Sequence, residues 1–134
     1  MPFIRHSSKL LLAAALVLST FLALAAAGPQ TEAKALRHVV LFRFKETTSA
    51  ADKKKIEDAF RALPAKISEI RSFEWGSNVS VENLSQGFTD CFVLTFASEK
   101  DRDTYLVHPA HKEFGNIIAG ALDKVLVVDF WAEK

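Results

Sequence analysis

From His38 the chain alternates. His38, Val40, Phe42 and Phe44 would share one side of an extended segment, and Val39, Leu41, Arg43 and Lys45 the other, because successive side chains of a strand point to opposite faces. The β-branched and aromatic content of HVVLFRFK (38–45) predicts a first strand. Ser49 with Asp52 three residues on has the form of a capping box. Ile56, Phe60 and Leu63 then recur at helical spacing with charges between them, predicting an amphipathic helix over 50–63 that closes at Pro64. IRSFEWGSNV (70–79) reads as a second strand, weakened by Gly76, and FTDCFVLTF (88–96) as a third. Helical spacing returns from Ser98 to Leu106, breaks at Pro109 and resumes from His111 to Leu122; KVLVVDFWA (124–132) is a fourth strand. The order β-α-β-β-α-β is the split plan of an α+β, ferredoxin-like domain with its second helix in two pieces.

The later strands are apolar on both sides. On the third, Asp90, Phe92, Leu94 and Phe96 oppose Cys91 and Val93; on the fourth, Val125 and Val127 oppose Leu126, Val128 and Phe130. Two helices cover one face of a four-stranded sheet, so the other face is expected to meet a second sheet. A homodimer packed sheet to sheet is the simplest solution. Burying ~600 Å² of apolar surface per subunit would contribute on the order of 15 kcal/mol before entropic costs. A monomer with a partly exposed sheet is the alternative.

The first 27 of the 134 residues differ from the rest. Arg5 and Lys9 precede an apolar run from Leu10 to Leu24, and Ala25-Ala26-Ala27 stands before Gly28-Pro29. This is the three-part pattern of a secretory signal peptide cleaved after Ala27, with residues 28–36 as a linker and a folded domain over 37–132. Export, to a secreted or periplasmic location, is therefore expected, and no membrane association after cleavage. The alternative is an uncleaved anchor, since Leu10 to Ala27 is 18 residues long. Removal of residues 1–27 would leave 15 basic against 16 acidic residues, a net charge of −1, which argues against nucleic acid as a partner. Cys91 is the only cysteine, so no disulfide can form within one chain. Asn78 and Asn83 begin N-x-S sequons, which matter only in a glycosylating secretory pathway.

Chemistry can be sought in few places. His38 and Asp90 stand on faces shared with apolar residues, and polar groups converging in an apolar layer are the usual make-up of a small-molecule site. The competing reading makes them strand-end residues reaching solvent or capping backbone. YLVHPAH (105–111) holds the only Tyr and two of the four His. Pro109 breaks the helix, His108 is biased away from helical backbone, and His111 falls in the first turn of the next helix, where the dipole favours a neutral ring. A neutral imidazole can act as a general base and a phenol can donate to a developing oxyanion. The competing reading is a plain helix joint. His38, Asp90 and His111 could ligate a metal if they converged, but H-x-x-x-H, H-x-H and paired cysteines are absent, and no metal is expected. No glycine-rich phosphate loop, cofactor fingerprint or G-x-S-x-G is present, and no cofactor is expected.

HVVLFRFK, WGSNVS, FTDCFVLTFAS, YLVHPAHKEF and VLVVDFWA together resemble the stress-responsive dimeric α/β-barrel (Dabb) family across residues 37–132. The resemblance implies a ferredoxin-like protomer that pairs through its sheets into a dimeric α+β barrel. In a plant polyketide cyclase of that family, which closes a ring by aldol condensation, the Tyr and final His of Y-x-x-H-P-x-H are catalytic. These correspond to Tyr105 and His111. A pocket His of the first strand corresponds to His38, whereas its third-strand pocket His is Asp90 here. Val40, Phe42, Phe60, Phe92, Phe114 and Leu122 correspond to an apolar chamber, with Phe60 in place of a tyrosine. Such a cyclase uses a thioester made inside cells, against which the leader segment counts. The expectation is an exported homodimer whose small pocket takes an apolar or aromatic molecule. The rivals are an enzyme using Tyr105 and His111 on a small carbonyl or aromatic compound, and a dimer with a structural role alone.

Overall fold

Strand β1, Leu36–Phe44, buries every second residue, Leu36, His38, Val40, Phe42 and Phe44, while the residues between are half-buried. The computed structural model describes residues 34–133, so the leader segment lies outside the described residues, as does most of the linker. β1 begins inside the stretch read as linker: Leu36 is buried in the core and pairs with Trp131 and Phe96, and the Ala35 carbonyl accepts from the Ala132 amide.

Helix α1 spans Ala50–Arg61, with Ser49 Oγ accepting from the Asp52 amide at 3.1 Å. Ile56 and Phe60 face the core; Leu63, in a short 3-10 turn over Leu63–Ala65, continues the apolar line past the helix end. Strand β2 is Ser72–Ser77 and β3 is Asp90–Phe96. Helix α2, Glu99–Val107, is capped by Ser98, and α3, Pro109–Ile118, by His108. β4 runs Leu122–Trp131. Two elements differ most from the periodicity in their bounds. The helix expected to reach Leu122 stops at Ile118, because the chain reverses at Gly120 (φ 85°) and Leu122 already pairs with Phe44. The strand expected over 70–79 is shorter, because Ile67 and Ile70 are buried as core plugs ahead of it.

The sheet is antiparallel in the order β2-β3-β1-β4. All three helices lie on one face, where Phe42, Phe60, Phe92, Phe96, Tyr105 and Phe114 form the core. Register places His38 opposite Asp129, Val40 opposite Val127 and Phe42 opposite Val125, so these β4 residues are on the helix-facing side. Leu126, Val128 and Phe130 share the outer side with Val39, Leu41, Cys91 and Val93. Both sides of β4 are open, with Val127 49% and Val128 46% exposed. Among the described residues, no helix is long and apolar enough to cross a membrane.

Candidate functional site

Pro109 lacks an amide hydrogen and suits the first turn of a helix, so the joint between α2 and α3 falls where the sequence forces it. His108 is extended (φ −62°, ψ 137°), as a residue before proline prefers, and its Nδ1 accepts from the Ala110 amide at 3.1 Å. Its ring is thereby an N-cap, satisfying one of the otherwise orphaned donors of α3. The joint turns the chain so that Tyr105, from the end of α2, meets His111, from the start of α3, with ring centroids 4.3 Å apart.

His38 reaches the same place from β1. Its ring lies 5.6 Å from Tyr105 and 6.2 Å from Phe96, both edge-on. Tyr105 is 1% exposed and His38 4%, whereas His111 is half-buried. Burial pushes the Tyr105 phenol far above its ordinary 10.0, so it is a proton donor throughout the physiological range. Burial also lowers His111 below 6.5; the Leu106 carbonyl opposes that shift, while nearby His38 adds to it. That carbonyl, 3.1 Å from His111 Nδ1, can only accept, so Nδ1 carries the proton and Nε2 keeps its lone pair. The result is a neutral base in contact with a protonated phenol.

Asp90 does not join them. It faces the helices as expected and is buried, but it pairs with Phe42 while His38 pairs with Leu94, about 13 Å away along the strands. Its hydrogen bond comes from Thr89 Oγ1 at 2.6 Å, and it contributes, after burial, to raising the carboxyl of Glu57 on α1. His38, Asp90 and His111 therefore do not converge as a ligand set, and no metal-ligating cluster occurs among the described residues.

The apolar residues do converge. Phe60 stacks on Phe114 at 4.6 Å and tilts on Phe92 at 4.5 Å, Phe42 lies 5.0 Å from Phe92, and Val40 and Leu122 pack in or against the same cluster. The rings pack against one another as one continuous core. The open apolar surface beside it is the helix-facing row of β4, where Val125 is 53% and Trp131 38% exposed. Asp129 stands between Val127 and Trp131 in that row, directly across from His38.

Sequence reasoning missed two polar residues. Asp129 Oδ1 is 2.6 Å from His38 Nδ1, and Asp129 Oδ2 takes a bond from Arg102 Nη1 at 2.7 Å. Burial works to raise the Asp129 carboxyl, but the bonds from Arg102 and His38 outweigh it and hold the group below 3.8. Two signals were present: a lone carboxylate inside VLVVDFW, and an Arg three residues before Tyr105, hence on the same helix face.

Residues 36–132 match the model of the stress responsive A/B barrel domain. A stress-response A/B barrel domain-containing protein, HS1 of Arabidopsis thaliana, is 42% identical over 95 residues, covering 71% of this chain and 87% of that one. Olivetolic acid cyclase of Cannabis sativa is 28% identical over 100 residues, 75% of this chain and 99% of the cyclase. Among solved structures, hydroxynitrile lyase from Passiflora edulis superposes with a TM-score of 0.72 at 25% identity, covering 76% of this chain and 96% of the lyase. A dimeric ferredoxin-like protein of unknown function from Thermobifida fusca gives 0.65 at 25% identity, covering 75% and 93%.

Proposed function

The chain belongs to the stress responsive A/B barrel family, and from that premise we propose that it is an exported homodimer that binds a small apolar or aromatic molecule. The ligand lies along the helix-facing row of β4, with its polar end at Tyr105 and His111. The observation that carries this reading is the contact of a protonated phenol with a neutral imidazole, linked through His38 to Asp129 within the exposed row of β4. Convergent polar groups fix orientation and the apolar row supplies affinity.

The test is binding of the purified protein to any small molecule that co-purifies with it, identified by mass spectrometry, or to an aromatic probe followed by Trp131 fluorescence. Val127→Ala removes two carbons from the row and should weaken binding by roughly tenfold at about 0.8 kcal/mol per buried carbon. Unchanged affinity in that variant would place the ligand elsewhere.

A second reading is favoured by the tautomer of His111: proton-transfer catalysis on a small carbonyl or aromatic compound, with His111 Nε2 as base and Tyr105 as hydrogen-bond donor. The names of the cyclase and lyase relatives support it.

Pairing of protomers through the outer sheet face is supported by the half-buried Val39, Leu41 and Val93, by the exposed Leu126, Val128 and Phe130, and by the dimeric state of the Thermobifida fusca neighbour. Export rests on the leader pattern, and the N-terminus of the exported protein is expected near Gly28; a start at Met1 would contradict cleavage.

A further inference from the structure

Two imidazoles flank Tyr105, and the acid–base reading above uses only one. The second, His38, is the end of a chain of three side chains from three different elements. Arg102 Nη1, on α2, bonds Asp129 Oδ2 at 2.7 Å, and Asp129 Oδ1, on β4, lies 2.6 Å from His38 Nδ1, on β1. Arg102 is steadied in turn by Asp103 on its own helix, at 2.9 Å. We propose that Arg102 and Asp129 are positioning residues that fix His38 with its proton on Nδ1, so that Nε2 is a second proton acceptor beside Tyr105.

Each link has a physical reason. An ionised carboxylate can only accept, so the nitrogen facing Asp129 must be the donor. Arg102 keeps Asp129 ionised, and its planar guanidinium cannot surrender its proton. Between them they leave one arrangement of the buried His38 ring, whose other neighbours, Phe96 and Tyr105, meet it as ring edges. His111 is fixed in the same tautomer by a different acceptor, the Leu106 carbonyl. The phenol is thus held between two imidazoles, each with its Nδ1 occupied. A carboxylate that holds an imidazole in one tautomer acts through that imidazole, and replacing it by an amide scrambles the proton's location. Asp129 occupies the position for this within the β4 row, between Val127 and Trp131, which also places it where a bound molecule's polar end would be read.

This role rests on the proposed site, yet it is tested without a ligand. Nitrogen-15 NMR of the imidazoles in the dimeric protein, at mildly alkaline pH, should show His38 protonated at Nδ1 alone. Asp129→Asn should move the proton to Nε2 or to an exchanging mixture while the His111 pattern stays as it was. Arg102→Met should leave the fold intact and raise the pH at which the Asp129 carboxyl titrates, read by its carbon-13 shift; Arg102→Lys should restore part of the difference. A wild-type His38 protonated at Nε2, an Asp129→Asn spectrum unchanged at His38, or an Asp129 titration indifferent to Arg102 would each overturn the proposal. Failure of Val127→Ala to weaken binding would instead count against the ligand site and leave these spectra untouched.

Discussion

At the scale of single residues, His111 and His108 are three positions apart and do different work. His108 spends its ring nitrogen on the Ala110 amide, whereas His111 bonds Leu106 through Nδ1 and keeps Nε2. Replacing His111 by Ala should cut any turnover by about 10²- to 10⁴-fold with little change in melting temperature; a variant that chiefly melts earlier would assign His111 to the joint alone. The pH dependence of stability has a definite sign. The folded-state pKa of His111 lies below 6.5, so between that value and 6.5 the unfolded chain holds more protons and stability rises with pH. Asp129, depressed below 3.8, adds stability above 3.8 that is lost as pH falls through its folded value. Tyr105, raised above 10.0, adds stability below 10.0 that is lost at higher pH. Denaturant titrations across pH should therefore show a decline below 6.5 that His111→Gln removes; an identical decline in that variant would assign it to another group.

At the scale of elements, alternation and helical spacing located all four strands and three helical pieces, because one-sided burial leaves a period in the sequence. Ends were harder. The spacing of α3 runs on smoothly past Ile118, and it takes the positive φ of Gly120 and the pairing of Leu122 with Phe44 to show that Leu122 has changed element. The meeting of Tyr105 and His111 was legible in the sequence, because Pro109 dictates the joint that brings them together. The distance between Asp90 and His38 was not legible, because alternation gives the face of a residue and not its position along the partner strand; that needs the register. Arg102 and Asp129 meet across 27 positions, a distance no local pattern encodes. The outer row of β4 yields its own prediction. Val128→Lys places a charge in the middle of an apolar face and should turn the dimer into monomers in sedimentation at micromolar concentration, with the fold retained by circular dichroism. A dimer that survives the substitution would pair through some other surface.

At the scale of the whole molecule, β4 is an edge strand that the helices leave bare, and its ten residues divide by parity. Odd positions, Val125, Val127, Asp129 and Trp131, lie on the side of the proposed ligand site; even positions, Leu126, Val128 and Phe130, lie on the side of the proposed contact between protomers. One backbone thus carries both sets, each backing the other at the distance of a single peptide unit. If docking of the outer row in the proposed dimer restricts the inner row with it, assembly and ligand binding share a free energy. Linkage then requires equality in both directions: whatever factor dimerisation adds to ligand affinity, the ligand adds to the dimer's. With positive coupling, the proposed dimer would hold its ligand more tightly where the protein is concentrated and less tightly on dilution.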